Sequence, residues 1–286
     1  MVLSGVQDRL APLQSWLFPQ RVYLQLEDQA LAAMVLEGER VAWHERVSLP
    51  GGVCEGGAPV AVEALGDLLG DWLVERGYPG AHVKAVLPRA ATAWRVVEWP
   101  DGQWPEQPEL LVRQQQRELR LPWDLHDADL LLEPLEGGPP RSLLVATQRG
   151  VLEAWIDVFS QAGLVLDGLE PLPICLWRGV QSRLQGGVAL WLQLEEQHSL
   201  LLALDQGLPL GEWCLPPLAE PAVLEAELKL WRNHYHPNAA FLWSYPMADL
   251  ELLAELPHWI GCPLQSFERD AAPPALWGLA AGEKGR

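Results

Sequence analysis

The residues Leu24-Gln25-Leu26-Glu27-Asp28-Gln29 recur 168 positions later as Leu192-Gln193-Leu194-Glu195-Glu196-Gln197. Five of the six residues are identical, and the sixth exchanges Asp for Glu. An apolar strand start precedes each copy, and a second apolar run follows it, at residues 30–36 and 200–204. Each copy is therefore predicted to form the turn between two buried strands. A motif repeated in this way indicates that the chain carries an internal duplication.

The segments that follow the two copies also match in type and order. In each half a polar turn leads to a third strand, a proline-rich loop, an amphipathic helix and a further strand. The matching segments are residues 41–49 and 210–215 for the third strand, 60–76 and 222–235 for the helix, and 82–87 and 239–243 for the last strand. Both halves thus have the order β-β-β-α-β, which predicts an α/β protein with sheets of mixed strand direction.

The repeat divides the chain into two lobes. The first is predicted to span residues 20–186 and the second residues 187–286, after an N-terminal tail of residues 1–19. The first lobe carries an additional piece, at about residues 89–135. Its predicted elements are a strand at 92–99, a helix at 109–119 and a strand at 128–134. Residues 141–147 are then predicted to return to the core of the first lobe as an apolar strand.

Composition and charge narrow the classes of function. Of the 286 residues, 49% are hydrophobic and 20% are charged, which predicts a packed globular protein. The 38 acidic and 20 basic residues give a net charge of −18, which disfavours binding to nucleic acids and anionic lipids. No apolar run approaches the roughly 18 residues that cross a bilayer, so we expect no direct membrane insertion. The four cysteines lack metal-site spacing and the chain start lacks signal-peptide features, so we expect a cytoplasmic location.

Several short motifs resemble a known family. They are KAVLP at residues 84–88, RVVEWP at 95–100, RELRLPWD at 117–124, ADLLLE at 128–133, LLVATQR at 143–149 and WGLAAG at 277–282. Together with the element order, they resemble the actin-like superfamily and, within it, the PilM family of type IV pilus assembly proteins. The resemblance covers about residues 20–282. The cytoplasmic domain of the type II secretion L component shares these features and is an alternative relative.

The resemblance implies a fold, a location and a partner. The implied fold is a duplicated ribonuclease-H-like fold of two lobes, with a nucleotide in the cleft and a small subdomain inserted in the first lobe. The implied location is the cytoplasm beneath the inner membrane. The implied partner is the short cytoplasmic tail of PilN, which binds in a groove that the inserted subdomain, here residues 89–135, helps to form.

The resemblance also indicates where a nucleotide would bind. Its phosphates would contact two turns of the types Gly-x-Asp-x-Gly and Asp-x-Gly, and its adenosine a Gly-Gly pair. The matching positions are Leu24, Leu26 and Asp28 in the first turn, Leu194, Glu195 and Glu196 in the second, and Ser244 and Tyr245 in the adenosine turn. Glycine lets backbone N–H groups approach an anion, and none of these positions is glycine. We therefore expect no catalytic residue and no cofactor, with bound ATP and Mg²⁺ as the alternative.

Four acidic residues of the two turns have alternative roles. Glu27, Asp28, Glu195 and Glu196 would face the position of the phosphates. Two like charges about 5 Å apart repel by on the order of 3 kcal/mol at an effective dielectric constant of about 20, which disfavours a triphosphate. The carboxylates are either solvated turn residues without a ligand or the oxygen ligands of a divalent cation.

Two classes of function fit the sequence. The first is a non-catalytic scaffold of a type IV pilus, or a related secretion or competence complex, that binds a PilN-like tail. In this hypothesis four arginines of the inserted subdomain contact the partner: Arg95, Arg113, Arg117 and Arg120. The same arginines also fit a solvated helix face. The alternative function is an active but divergent actin-like ATPase or sugar kinase, and a protein unrelated to pili is a third hypothesis.

Overall fold

The computed structural model describes residues 20–99, 102–135, 140–181, 186–195, 199–245, 250–266 and 272–282. The predicted N-terminal tail lies outside these residues. The strands of the first half are β1 (Arg21–Leu26), β2 (Ala30–Glu37), β3 (Arg40–Ser48), β4 (Cys54–Glu55), β5 (Ala58–Pro59), β6 (His82–Leu87), β7 (Thr92–Glu98), β8 (Ala128–Leu135), β9 (Arg141–Gln148) and β10 (Val165–Pro171). Those of the second half are β11 (Val188–Glu195), β12 (Ser199–Asp205), β13 (Leu208–Leu215), β14 (Ala239–Tyr245) and β15 (Leu264–Ser266).

The helices connect these strands and cover the sheets. They are α1 (Val62–Glu75), α2 (Pro108–Gln114), α3 (Gln116–Leu119), α4 (Arg149–Gln161), α5 (Leu172–Gln181), α6 (Pro221–Tyr235), α7 (Leu250–Ile260) and α8 (Pro274–Ala281), with short 3-10 helices at Arg89–Ala91 and Leu125–Asp127. Among the described residues, no helix has the length and apolar character needed to span a bilayer.

Two five-stranded sheets repeat the same topology. The first has the strand order β3-β2-β1-β6-β10 and the second the order β13-β12-β11-β14-β15. In each sheet the first three strands are antiparallel, and the remaining strands run parallel to the central one. The predicted order β-β-β-α-β and the mixed sheets are therefore confirmed in both halves.

The duplication extends to the hydrogen-bond register. Tyr23 of β1 pairs with Met34 of β2, and the residues 168 positions later, Trp191 and Leu202, pair in the same way. A β-bulge interrupts the pairing of β2 with β3 after Val35, and the matching bulge lies after Ala203. A register slip of one residue would turn every side chain of a strand to the other face of the sheet. Burial of the apolar side chains therefore favours the same pairing in both halves.

Helices lie on both faces of each sheet. The pair α1 and α4 packs on the outer face of the first sheet, and the pair α6 and α7 on the outer face of the second. Helices α5 and α8, the central helix pair, lie between the sheets in one apolar cluster that includes side chains of both lobes. The pair crosses at two glycines: a Cβ built at Gly278 would lie 1.7 Å from the carbonyl oxygen of Cys175, and one at Gly179 would lie 2.3 Å from that of Pro274.

A separate three-stranded sheet, the small sheet, has the order β7-β9-β8. The prediction that residues 141–147 belong to the core of the first lobe is wrong, because β9 is the central strand of this sheet. The strand is buried on both faces, which makes it look like a core strand. One face packs with Val112 and Leu125 beneath α2, and the other joins the cluster between the lobes. The helix predicted at 109–119 is also divided at Gln115 into α2 and α3.

Candidate functional site

The leucines at the motif positions of the two turns are core residues. Leu24 and Leu26 are fully buried between the first sheet and its outer helices. Leu194, the counterpart of Leu26, is fully buried at the same place in the second lobe. The motif residues, glycine at Leu24 and aspartate at Leu26 and Leu194, would each remove a buried leucine side chain, and such a loss costs several kcal/mol. These residues therefore have a packing role that conflicts with a phosphate-binding loop.

The turn after β1 is closed by an ion pair that the sequence analysis did not foresee. Glu27 accepts hydrogen bonds from both Nη atoms of Arg46 on β3, at 2.5 and 3.3 Å. Gln25 Nε2 also donates to Glu27, at 2.7 Å. The carboxylate of Glu27 is thus compensated, and its repulsion of an anion is weaker than the sequence suggested. Its hydrogen-bonding capacity is instead used within the turn.

Gln25 itself is a buried polar residue of the repeated motif. Its side chain is only 2% exposed, and its Oε1 has no hydrogen-bond partner among the described residues. The counterpart Gln193 is 6% exposed. Gln25 pairs in register with Ala32 and Val86, which belong to the cluster between the lobes, so its side chain lies on the face toward the second lobe. The identity of the two glutamines in the repeat was the available signal for them.

Asp28, at the second glycine position of the first turn, holds a neighbouring hairpin. Its Oδ1 accepts a hydrogen bond from the backbone N–H of Gly57 at 2.7 Å and is 3.5 Å from Cys54 Sγ. Gly57 has φ +84°, and a Cβ there would lie 2.3 Å from the backbone nitrogen of Ala91, so only glycine fits. Trp155 Nε1 donates to the Gly57 carbonyl at 2.9 Å. Burial, with the Asp28 charge adding to it, raises the pKa of Cys54 to about 12.

The second turn and the adenosine turn lie side by side. Leu194 and Ser244 are neighbours on the parallel strands β11 and β14, followed by the pair Glu195 and Tyr245. The side chains of Glu195 and Tyr245, and all of Glu196, lie outside the described residues. In the part of the chain that is described, no three His, Cys, Asp or Glu side chains form a group that fits a metal ion. The cation hypothesis for Glu27, Asp28, Glu195 and Glu196 therefore stays a prediction.

The four arginines proposed to contact a partner fall into two groups. Arg113 donates to the backbone carbonyls of Leu125 and Ala128 and so braces α2 against β8. Arg95 donates to the carbonyls of Trp94 and Arg120. Arg117 and Arg120 have exposed side chains on and just after α3. All four arginines thus lie on one subdomain, but the guanidinium groups of Arg95 and Arg113 are hydrogen-bonded to its own backbone carbonyls.

Comparison with known proteins rests on structure, because no family model and no curated protein matches the chain. A structure of the PilM-PilN type IV pilus biogenesis complex matches with a TM-score of 0.75 and 17% identity, over 93% of this chain and 98% of the other. The cytoplasmic domain of EpsL, an inner membrane component of the type II secretion system of Vibrio cholerae, matches with a TM-score of 0.58 and 15% identity, over 93% and 96%. A Bacteroides thetaiotaomicron protein with an actin-like ATPase fold and unknown function gives 0.55 and 10%, over 91% and 95%.

These likenesses define the class of fold. The chain has an actin-like fold of two sheet-containing lobes, as the element order and motifs predicted. Within that class its structure is similar to that of the PilM-PilN complex along nearly its whole length.

Proposed function

We propose that this chain is a non-catalytic, actin-like scaffold of a type IV pilus or related secretion or competence complex. In this proposal it lies in the cytoplasm and is held at the inner membrane by the cytoplasmic tail of a PilN-like protein. The full-length likeness to the PilM-PilN structure and to the EpsL domain supports the class of assembly. Fold alone does not determine function, so the proposal depends on the residues of the site.

The non-catalytic part of the proposal rests on the turn after β1, whose side chains at the motif positions are either buried in the core or hydrogen-bonded to another part of the first lobe. Phosphate binding in such a turn needs free backbone N–H groups next to glycine. Here Leu24 and Leu26 are locked in the core, Glu27 is paired with Arg46, and Asp28 is bonded to Gly57. A triphosphate and its Mg²⁺ would have to displace the ion pair and the bond to the hairpin together. This free-energy cost favours a structural role for the turn over a nucleotide-binding role.

A thermal-shift titration with Mg-ATP and Mg-ADP tests this part. A ligand present at 100 times its dissociation constant adds about 2.7 kcal/mol of stability. For a chain of this size that corresponds to a rise in melting temperature of a few degrees. We expect no rise with either nucleotide up to millimolar concentration. A rise that requires Mg²⁺ would contradict the proposal and favour the alternative, a divergent ATPase or sugar kinase.

Binding of a tail peptide tests the scaffold part. We expect a labelled peptide with the sequence of the cytoplasmic tail of a PilN-like inner-membrane protein to bind the full chain in a fluorescence anisotropy titration. Arg117→Ala and Arg120→Ala should each weaken binding by about two- to fivefold, the usual effect of one exposed charge. Arg40→Ala removes the same charge from the exposed start of β3 and serves as the control. Equal affinities for all three variants would place the partner elsewhere on the chain.

A further inference from the structure

Glu212 of β13 forms a contact between the lobes that the nucleotide motifs do not predict. Its Oε1 accepts a hydrogen bond from Arg89 Nε at 2.5 Å, and its Oε2 accepts one from Trp94 Nε1 at 3.1 Å. Arg89 lies in the 3-10 helix after β6, and Trp94 lies on β7 of the small sheet. Both oxygens of a second-lobe carboxylate are therefore bound by first-lobe donors. We call Glu212, Arg89 and Trp94 the Glu212 clasp.

The carboxylate of the clasp is largely sheltered from water. The Glu212 side chain is 10% exposed, while that of Arg89 is 41% exposed. A carboxylate with so little access to solvent depends on its protein donors, and charge-assisted hydrogen bonds of this length are stronger than neutral ones. A relative rotation of the lobes would move this carboxylate away from both of its donors. The contact therefore resists the first step of lobe opening.

The duplication shows that the fold does not require this contact. In the first lobe Met34 pairs with His44, and 168 positions later Leu202 pairs with Glu212. His44 is the internal counterpart of Glu212, and it is exposed at the surface. Only the second-lobe position carries a carboxylate and meets a donor pair. The clasp is thus a feature of the lobe arrangement and not of the repeated unit.

The small sheet is held at both of its edges. At the β8 edge, Glu133 lies 3.8 Å from Arg178 of α5, which also bonds Glu170 at the end of β10. At the β7 edge, the clasp joins the small sheet to β13. Between the edges, Trp94 and Val145 belong to the same buried cluster as Trp191 of the second lobe. The small sheet therefore spans the boundary between the lobes, although the chain places it in the first.

We propose that the Glu212 clasp locks the two lobes in one arrangement and that the lobes open only when it breaks. Protein side chains here supply a bridge of the kind that a ligand bound between two lobes would otherwise supply. The small sheet carries the clasp, so a ligand that moves this sheet also shifts the equilibrium between closed and open lobes. The inference concerns the lobes alone and does not depend on the proposed partner.

Hydrogen exchange of the full chain tests the proposal. The variants Glu212→Gln, Arg89→Ala and Trp94→Phe each remove part of the clasp, and Trp94→Phe keeps an aromatic ring in the cluster. Glu225→Gln is the control, because this partly exposed carboxylate of α6 pairs with Lys229 of its own helix and, among the described residues, with no residue of the first lobe. Each clasp variant should speed exchange by about tenfold in residues 89–98 and also in 208–215, whichever side carries the change. Exchange in α6 and in the control protein should stay as in the parent.

Three results would overturn the proposal. Faster exchange only in the segment that carries the substitution would make the contact a local one. Faster exchange throughout the second lobe, α6 included, would mean that Glu212 supports folding of that lobe. Independent effects would also contradict a lock: the double variant Arg89→Ala with Glu212→Gln should exchange no faster than the faster single variant, since both break the same contact.

Discussion

At the scale of single residues, the crossing of the central helix pair depends on two glycines, which have no side chain at the point of contact. Gly278 and Gly179 let the backbones of α8 and α5 approach to a distance that no side chain permits. We expect Gly278→Ala to lower the free energy of unfolding by at least about 3 kcal/mol, because the new methyl group would meet the backbone of Cys175 and could not be accommodated by a rotamer change. Urea unfolding followed by fluorescence measures this loss.

A glycine outside the helix crossing supplies the matched control for this substitution. Gly150 lies in the first turn of α4, and a Cβ there would have no neighbour within 4 Å. Gly150→Ala should therefore stabilise the protein by up to about 1 kcal/mol through helix propensity. Equal destabilisation by both substitutions would contradict the steric account of the crossing.

The same scale shows where prediction from the sequence stops. The departures from the nucleotide motifs at Leu24, Leu26 and Leu194 can be seen in the sequence, because the repeat fixes the positions to compare. The partner of Glu27 cannot, because Arg46 lies 19 residues away and comes near only through the pairing of β2 with β3. Glu212 is harder still, since its donors lie 118 and 123 residues away in the other lobe.

At the scale of elements, the two lobes fasten their first outer helix to an edge strand by different means. In the first lobe Glu45 of β3 accepts hydrogen bonds from Arg76 at 2.6 and 2.7 Å and from Trp72 of α1 at 3.3 Å. The counterpart of Glu45 is Trp213, which packs on Trp231 of α6 with ring centroids 4.0 Å apart. An ionic contact in one lobe thus corresponds to an aromatic contact in the other.

This difference predicts a pH dependence for the first lobe. The hydrogen bonds from Arg76 hold the pKa of Glu45 below its ordinary value of 4.5. The stabilisation is therefore fully present above that value and is lost as the pH falls through the lower pKa of the folded state. Glu45→Gln should be less stable than the parent at pH of about 7, and the difference should shrink as the pH is lowered to about 3. Urea midpoints at the two pH values measure it.

The control for this prediction is another carboxylate near the same helix. Glu63 is exposed in the first turn of α1. Glu63→Gln removes an exposed charge and should lower the urea midpoint at pH of about 7 by less than Glu45→Gln does. A difference for Glu45→Gln that does not depend on pH would mean that its side chain stabilises the strand by packing alone.

Elements that occur in both copies of the repeat were predictable, and the layer of a strand without a counterpart was not. The stripe Leu65, Leu69 and Trp72 identifies α1, and its counterpart Leu224, Leu228 and Trp231 identifies α6. Strand β9 was assigned to the wrong sheet because a run buried on both faces carries no sign of which layer covers it. The pairing of β9 with β7 and β8 depends on packing between α2 and the central cluster. Such packing between distant segments cannot be predicted from a local sequence pattern.

At the scale of the whole molecule, the core between the lobes joins two halves that look separable in the sequence. Trp191, Leu202 and Phe241 of the second sheet are buried in one cluster with residues of α5. We therefore expect residues 187–286, expressed alone, to bind a hydrophobic dye and to melt without a cooperative transition. A fragment that melts cooperatively and binds no dye would contradict this.

One substitution should have different consequences in the fragment and in the full chain. Leu202→Gln removes an apolar side chain from the surface that the fragment exposes, so dye binding should fall. In the full chain the same change buries an amide in the central cluster and should cost about 2 to 5 kcal/mol of stability. Dye fluorescence and urea unfolding measure the two effects.

The paired bulges after Val35 and Ala203 have a consequence beyond the fold of one chain. Each interrupts the pairing of an outermost strand, β3 or β13, with its inner neighbour. A bulge increases the local twist, so the free side of such a strand presents few consecutive backbone groups in line for a foreign strand. The edges at β3 and β13 are therefore poor templates for the growth of a fibre. Because both halves carry the bulge, both sheets have this protection against amyloid formation.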